Sequence, residues 1–356
     1  MEDLKLIVLD NSKELGNQTD FWLKELEQSD ESYLLPITRD RFSNGEGKIK
    51  INGTVRDKDI YILSDVGNYN ITYDMHGFIH HMSPDEHFQD IKRVISAISG
   101  YASKITLIMP LLYESRQHKR KGKESLDCAL ALKELEALNV NHIVTFDAHD
   151  PNVSNAIPNL PFENFYVAHD ILNKMVEQEN IDNLLVISPD MGAMERARYY
   201  AEILGSDVGV FYKRRDLSKV IDGKNPIVEH VYLGADVKDK NIIVVDDMIA
   251  SGASMLEVSA YLKSHGARQV YLVSTFALLT EGPDKFIKGY QEGLFDKLYS
   301  TNLSYVPNKI KQEKWYQEVD CSKRLARIIH TLHHKVSLKG IFEDTYEVLK
   351  KVDEKK

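Results

Sequence analysis

The sequence predicts an α/β protein with mostly parallel sheets covered by helices, and three observations predict it. Apolar runs of four to seven residues, rich in Val and Ile and without alternation, recur at 6–9, 60–63, 105–109, 142–146, 184–187, 242–245 and 270–276. Runs of that kind suit strands buried on both faces. Helical stretches lie between several of them, at 126–135 and at 255–265, with Gly266 placed to cap the second. Strands alternating with helices describe parallel strands joined by helical crossovers. The third observation is a weak internal repeat. Asp57-Lys58-Asp59-Ile60-Tyr61-Ile62-Leu63-Ser64-Asp65 parallels Asp239-Lys240-Asn241-Ile242-Ile243-Val244-Val245-Asp246-Asp247, and each is followed by a helix and another strand.

The repeat implies two similar α/β halves, which agrees with a length of 356 residues at about 150 residues per domain. The proline-bearing stretch 151–161 is the expected divide, giving domains at 1–160 and 161–320. Beyond it, Leu325, Ile328, Ile329 and Leu332 recur at helical spacing and predict a helical extension over 321–356. His330, His333 and His334 on that extension read as packing or assembly, and the charged tail 350–356 as frayed. From His76 to His87 the composition shifts to His, Met and Pro, which predicts a loop or an insertion. Its histidines (His76, His80, His81, His87) include an i, i+4 pair that could bind metal on a helix, but they read as residues of a histidine-bearing surface loop.

Composition excludes several classes. With 45 Lys plus Arg against 54 Asp plus Glu the net charge is −9, unlike general nucleic-acid binders, which rest on surplus positive charge. No stretch reaches the roughly 18 continuous apolar residues of a membrane span. The segment Met1-Glu2-Asp3-Leu4-Lys5 lacks a basic n-region, so no signal peptide is predicted. Cys128 and Cys321 are single and far apart, which excludes paired-Cys zinc motifs and predicts a reducing, cytoplasmic setting.

The most informative segment is Ile242-Ile243-Val244-Val245-Asp246-Asp247-Met248-Ile249-Ala250-Ser251-Gly252-Ala253-Ser254-Met255. It reads as a buried strand, two carboxylates, a small-residue turn and a helix start. The turn aims backbone N–H groups at one point and the helix N-terminus adds partial positive charge, an arrangement that suits a phosphate monoester. Ser251 and Ser254 add hydroxyl donors. Adjacent carboxylates repel a bare phosphate but accept hydrogen bonds from sugar hydroxyls. Together they describe a site for a pentose phosphate.

This segment resembles the ribose-phosphate loop of the type I phosphoribosyltransferase superfamily, and others resemble one branch of it, the ribose-phosphate pyrophosphokinases. Arg41-Phe42-Ser43-Asn44-Gly45-Glu46 is similar to that family's adenine-binding loop, and Ser115-Arg116-Gln117 to its Arg-Gln pair. Phe146-Asp147-Ala148-His149 matches its Asp-x-His at a strand end, and Ser188-Pro189-Asp190-Met191-Gly192 its Ser-Pro-Asp-x-Gly turn. Lys213-Arg214-Arg215 matches its catalytic basic loop, and Thr301-Asn302 follows its last strand. The motifs run in order from about residue 35 to residue 310.

The resemblance implies two tandem phosphoribosyltransferase-like α/β domains. It implies that ATP is held by Phe42, Asn44, Glu46, Arg116 and Gln117, and ribose 5-phosphate by Asp246, Asp247, Ser251, Gly252, Ala253 and Ser254. Lys213, Arg215 and His149 take the catalytic roles, and His149 with Asp190 holds Mg²⁺. The family's loop at Phe42 reaches a neighbouring subunit, so a homo-oligomer is expected, with no nucleic-acid or membrane partner. Four departures accompany the match, counting the two changes in the ribose-phosphate loop as one. Ala250 stands where the family has Asp, Ala253 and Ala193 where it has Gly, and His118 where it has Asp, while the stretch around 76–88 is longer by roughly a dozen residues. A glycine at 253 is needed only if φ there is positive. A non-catalytic regulatory relative and a transferase that consumes phosphoribosyl pyrophosphate are the alternatives to a Mg²⁺-dependent kinase.

Overall fold

Strand-forming apolar runs and helix-capping residues divide the chain into two units, seen in a computed structural model that describes residues 3–179, 181–215 and 227–342. Within these, the side chains of 213–215, 227–230 and 342 are not described, and the tail expected over 350–356 lies outside the described residues. The first unit holds Met1–Val167, Asn302–Tyr305 and Asp320–Glu343, and the second Ala168–Thr301 and Val306–Val319.

In the first unit the order is β1 (Leu4–Val8), α1 (Lys13–Glu27), β2 (Ile37–Arg41), β3 (Gly47–Ile51), β4 (Asp59–Leu63), β5 (Thr72–Met75), β6 (Phe78–His81), α2 (Pro84–Ile98), β7 (Lys104–Ile108), α3 (Asp127–Ala137), β8 (His142–Phe146) and β9 (Phe162–Phe165). The five-stranded sheet runs β1-β4-β7-β8-β9, parallel throughout. Buried Ile60, Ile62, Leu107, Ile143 and Phe146 show why the central strands are apolar without alternation. Helix α2 starts where Ser83 and Glu86 close a capping box and Pro84 takes the first helical position.

The stretch expected as a loop over His76 to His87 is instead an antiparallel hairpin, β5 on β6, followed by the start of α2. Its two turn residues, His76 and Gly77, both have positive φ, at 52° and 79°, as the twist of a two-residue hairpin requires. The hairpin was hidden because Thr72–Met75 and Phe78–His81 are largely exposed. His76 and His80 therefore do not share a helix face. His87 is a neutral core histidine: Asn11 Nδ2 lies 3.0 Å from its Nδ1 and the Asn68 carbonyl 2.7 Å from its Nε2, while burial lowers its pKa.

The second unit contains α4 (Ala168–Gln178), β10 (Leu184–Ser188), α5 (Met194–Leu204), β11 (Asp207–Arg215), β12 (Ile227–Leu233), β13 (Asn241–Ile249), α6 (Ala253–Ser264), β14 (Gln269–Ala277), α7 (Asp284–Gln291), β15 (Lys297–Thr301), α8 (Asn308–Lys311) and β16 (Tyr316–Val319). Its sheet is ordered β12-β11-β10-β13-β14-β15-β16 and is parallel except where β12 pairs antiparallel with β11. Leu185, Val244, Leu272, Phe286 and Trp315 belong to its core. Residues 213–215, expected as a loop, are the end of β11, with Lys213 opposite His230 and a register irregularity between Arg214 and Arg215. Two further helices, α9 (Ser322–His333) and α10 (Lys339–Phe342), return to the first unit, where α9 packs on α1.

Candidate functional site

Strand β13 does not stop at its last aliphatic residue. It continues through Asp246 and Asp247 to Ile249, paired with β14 up to Ala277. The acids are therefore held in sheet backbone, with Asp247 only 2% exposed. Asp246 Oδ1 accepts from the Asp247 amide at 2.9 Å, and Arg196 on α5 stands 4.0 Å away. Burial, then the Asp247 carboxylate, pushes the Asp246 pKa well above the usual carboxylate range, with Arg196 opposing. Such a pair is eased by anything that donates hydrogen bonds or positive charge to it. No feature of the sequence marks Arg196, since it reaches the pair from a helix rather than from the motif.

After β13 the chain turns over Ala250, Ser251 and Gly252 into α6. The Leu279 amide donates to Ile249 O and the Thr280 amide to Ala250 O, both at 3.0 Å, which fixes the turn. Gly252 has φ 74°, and a Cβ there would lie 2.3 Å from the Phe286 ring, so both conformation and space require glycine. Ala253 is the first helical residue and has no positive φ. The family's glycine at that position is thus not needed for backbone reasons. Ser251 Oγ lies 3.5 Å from the Ala253 amide, and Ser254 falls in the first turn of α6. The turn and the first turn of α6 set backbone amides beside the acid pair, where a helix start carries partial positive charge.

Asp190 follows β10. Its Oδ1 accepts from the Gly192 amide at 2.7 Å and the Ala193 amide at 3.2 Å, which fixes the carboxylate at the strand end. Ala193 has φ −88°, so a side chain is tolerated there as well. Lys213 and Arg215 are placed by their backbone at the end of β11.

The first unit carries the other expected residues. Phe42, Asn44 and Glu46 lie in the turn joining β2 and β3, closed by Phe42 and Glu46 backbone hydrogen bonding at 2.8 Å. Phe42 is 53% exposed, an aromatic face presented to solvent, and Asn44 Nδ2 donates to Glu46 Oε2 at 3.0 Å. The base of this hairpin is pinned by a group the sequence did not reveal. Buried Asp90 on α2 accepts from Arg39 Nε at 2.6 Å and Arg93 at 2.5 Å, with Arg41 at 3.4 Å. Only Arg93 has a local sequence relation to Asp90, an i, i+3 spacing.

Arg116 and Gln117 are exposed on a short turn anchored by buried Ser115. His118, the departure from the family's Asp, links that turn to the strand-end loop of His149. Its Nδ1 lies 3.1 Å from Ser115 O, its Nε2 3.3 Å from Asp150 Oδ2, and its ring 5.3 Å from that of His149. His149 itself is exposed just beyond β8. Thr301 and Asn302 serve the fold: Thr301 Oγ1 donates to Thr275 O at 2.7 Å, and Asn302 Nδ2 donates to Asp320 at 2.7 Å.

Comparison with known proteins adds independent information. A family model described as the N-terminal domain of ribose phosphate pyrophosphokinase matches residues 4–138, and a phosphoribosyl transferase domain model matches residues 164–286. A ribose-phosphate pyrophosphokinase of Mycoplasma pneumoniae is 28% identical over 319 residues, covering 88% of this chain and 90% of its own. Ribose-phosphate pyrophosphokinase 2 of Schizosaccharomyces pombe is 29% identical over 309 residues, covering 85% and 88%. In fold, the chain is similar to a phosphoribosylpyrophosphate synthetase crystal structure from Mycobacterium smegmatis, with a TM-score of 0.77, 20% identity, and coverage of 94% of this chain and 99% of that one.

Proposed function

The chain belongs to the ribose-phosphate pyrophosphokinase family, and from that premise we propose how its residues divide the work of moving the pyrophosphoryl group of Mg-ATP to the 1-hydroxyl of ribose 5-phosphate. The products are phosphoribosyl pyrophosphate and AMP. The observation that carries the reading is the pair Asp246–Asp247 held at the end of β13 beside the Gly252-capped start of α6. The carboxylates accept the sugar's hydroxyls. The amides at Ser251, Gly252, Ala253 and Ser254, with the two serine hydroxyls, hold the 5-phosphate.

In this reading the domain of residues 1–160 supplies the nucleotide side. Phe42 stacks on adenine, Asn44 and Glu46 read its edge, and Arg116 and Gln117 hold the phosphates. The domain of residues 161–320 supplies the sugar side, and residues 321–356 form an extension. Reaction makes a bond from the sugar's O1 to the β-phosphorus and breaks the bond from that phosphorus to the bridging oxygen, which leaves with AMP, while the hydroxyl proton is released to solvent. Charge grows on phosphoryl oxygens, so catalysis is positioning and electrostatic stabilisation. Lys213 and Arg215 supply fixed positive charge for it.

The Asp190 carboxylate, oriented by two amides at the end of β10, is an oxygen donor of the kind Mg²⁺ prefers, whereas His149, exposed beyond β8, is assigned to the ion on the family resemblance and not on coordination chemistry. These residues would hold Mg²⁺, which when bound would neutralise polyphosphate charge. An oligomer in which the Phe42 turn serves a neighbouring subunit, and a cytoplasmic setting, complete the proposal. Among the described residues no helix is long and apolar enough to cross a membrane. The test is a product assay. Mg-ATP and ribose 5-phosphate should give AMP and phosphoribosyl pyrophosphate in equal amounts, and no AMP above a Lys213→Ala control would refute the activity.

A further inference from the structure

Helix α1 ends at Glu27 and α9 at His333, and their ends meet in the first unit. Glu27's side chain is 3% exposed, so a carboxylate is buried where two helix C-termini already contribute partial negative charge. It is faced by two imidazoles one turn apart. His330 Nδ1 lies 2.7 Å from Glu27 Oε1, and His334 Nε2 lies 2.9 Å from Oε1 and 3.1 Å from Oε2. Burial works to raise the Glu27 pKa, but the hydrogen bonds from His330 and His334 outweigh it and hold the carboxyl below its usual range. His333 turns away to Asp59, 2.8 Å distant, and takes no part.

We propose that Glu27, His330 and His334 form a site for a borderline divalent transition-metal cation of the zinc class, separate from the Mg²⁺ chemistry of the reaction and independent of the functional reading above. The three donor atoms lie within 4.8 Å of one another, the one such group of three among the described residues. Two imidazole nitrogens and a carboxylate oxygen match a three-ligand zinc set, whereas Mg²⁺ favours oxygen alone. With metal–ligand bonds of about 2.0–2.1 Å, tetrahedral donors sit roughly 3.3 Å apart. The present hydrogen-bonded separations need to open by only about half an ångström for a cation to replace the protons between them. Each ring proton then moves to the other nitrogen or to solvent, and a water takes the fourth position. The i, i+4 spacing on α9 places both rings on one face, and the cation neutralises the buried negative end.

The test uses the full chain, stripped by chelator and returned to excess Mg²⁺ so that oxygen-rich sites stay filled, then titrated calorimetrically with Zn²⁺. One saturable equivalent is expected, accompanied by a rise in melting temperature. Substituting Co²⁺ should give the ligand-field absorption of a four-coordinate N/O site. Loss of an outer partner already weakens metal sites by about 10–100-fold, so removing a ligand should cost at least about 100-fold in affinity. His334→Ala, at a side chain 36% exposed, should fold normally, keep its AMP-forming rate in Mg-ATP and lose both the equivalent and the cobalt spectrum. His330→Ala should do the same. Absence of a zinc equivalent in excess Mg²⁺, or an equivalent bound equally well by His330→Ala and His334→Ala, would overturn the proposal.

Discussion

Strands β4 and β13 carry the same sequence pattern, and the residues that lead into them, Asp57 and Asp239, share a left-handed backbone at φ 59° and 57°. Past the strands the two units diverge. Asp65 stands where the second unit has Asp247, and Ser64 where it has Asp246. Asp65 is buried and spent on the fold. It accepts from the Gly67 amide at 2.9 Å, the Tyr305 amide at 2.9 Å and Ser304 Oγ at 3.0 Å. No helix starts soon after it, because the β5–β6 hairpin intervenes before α2. In the second unit α6 starts six residues beyond Asp247, and Asp246, beside it, keeps a raised pKa that a ligand can relieve. One repeat uses its strand-end acid as a structural clasp; the other keeps its acids together beside the turn proposed to hold the sugar's phosphate.

That contrast is broken most forcefully by removing the paired charges. Replacing both acids in D246N/D247N should lower kcat/KM for ribose 5-phosphate by about 10³-fold or more, since charge-assisted hydrogen bonds contribute about 1.5–3 kcal/mol each. Because the change also relieves like-charge repulsion, the melting temperature should hold or rise. A loss of stability alongside activity would point to a structural role like that of Asp65. Next comes Gly252→Ala, which meets both a left-handed φ and the Phe286 ring. It should destabilise the second unit by about 1–3 kcal/mol and raise KM for ribose 5-phosphate more than KM for ATP, measured by denaturant unfolding and steady-state kinetics.

Asp65→Ala tests the other side. It strands buried amides, so a loss on the order of 3 kcal/mol in stability is expected, with kcat per folded molecule little changed. The pH dependence sharpens this. Burial, against the hydrogen bonds from Tyr305, Gly67 and Ser304, pushes the Asp65 pKa up to about 6. The folded pKa exceeds the unfolded value of about 3.9, so the native state holds the extra proton in between. This group's stabilisation is therefore complete below about pH 4 and declines as pH rises through 6, by at most about 3 kcal/mol. Unfolding midpoints measured from pH 4 to 7 should decline more steeply in the wild type than in the alanine variant, which keeps only the contribution of other raised carboxyls such as Asp246. The smallest effect is Phe42→Ala. An exposed ring should leave stability within about 0.5 kcal/mol and raise KM for ATP by about tenfold, the value of one stacked base.

Most of the two main sheets was legible because their central strands are buried on both faces, which leaves runs such as Ile60-Tyr61-Ile62-Leu63 and Ile242-Ile243-Val244-Val245 unbroken by polar residues. The two small hairpins were not, since β2 and β3 alternate half-buried with exposed residues and β5 and β6 are exposed enough to read as loop. In the site, the β13 turn could be located from its acids and glycine. Its continuation as strand through Asp246 and Asp247 is a tertiary effect of pairing with β14. The supports around it, Arg196 beside Asp246 and the three arginines on Asp90, come from helices and hairpins distant in sequence, and no local spacing announces them. His118 was visible as a departure, but its bridging to Asp150 needed the folded chain.

The central claim is that the end of β13 and the start of α6 cradle the phosphorylated sugar. Its most direct test is calorimetric titration of ribose 5-phosphate into the wild type and into D246N/D247N at matched fold stability. The account predicts saturable binding by the first and a loss of at least about 100-fold in affinity by the second. Equal affinity in the two proteins would contradict it.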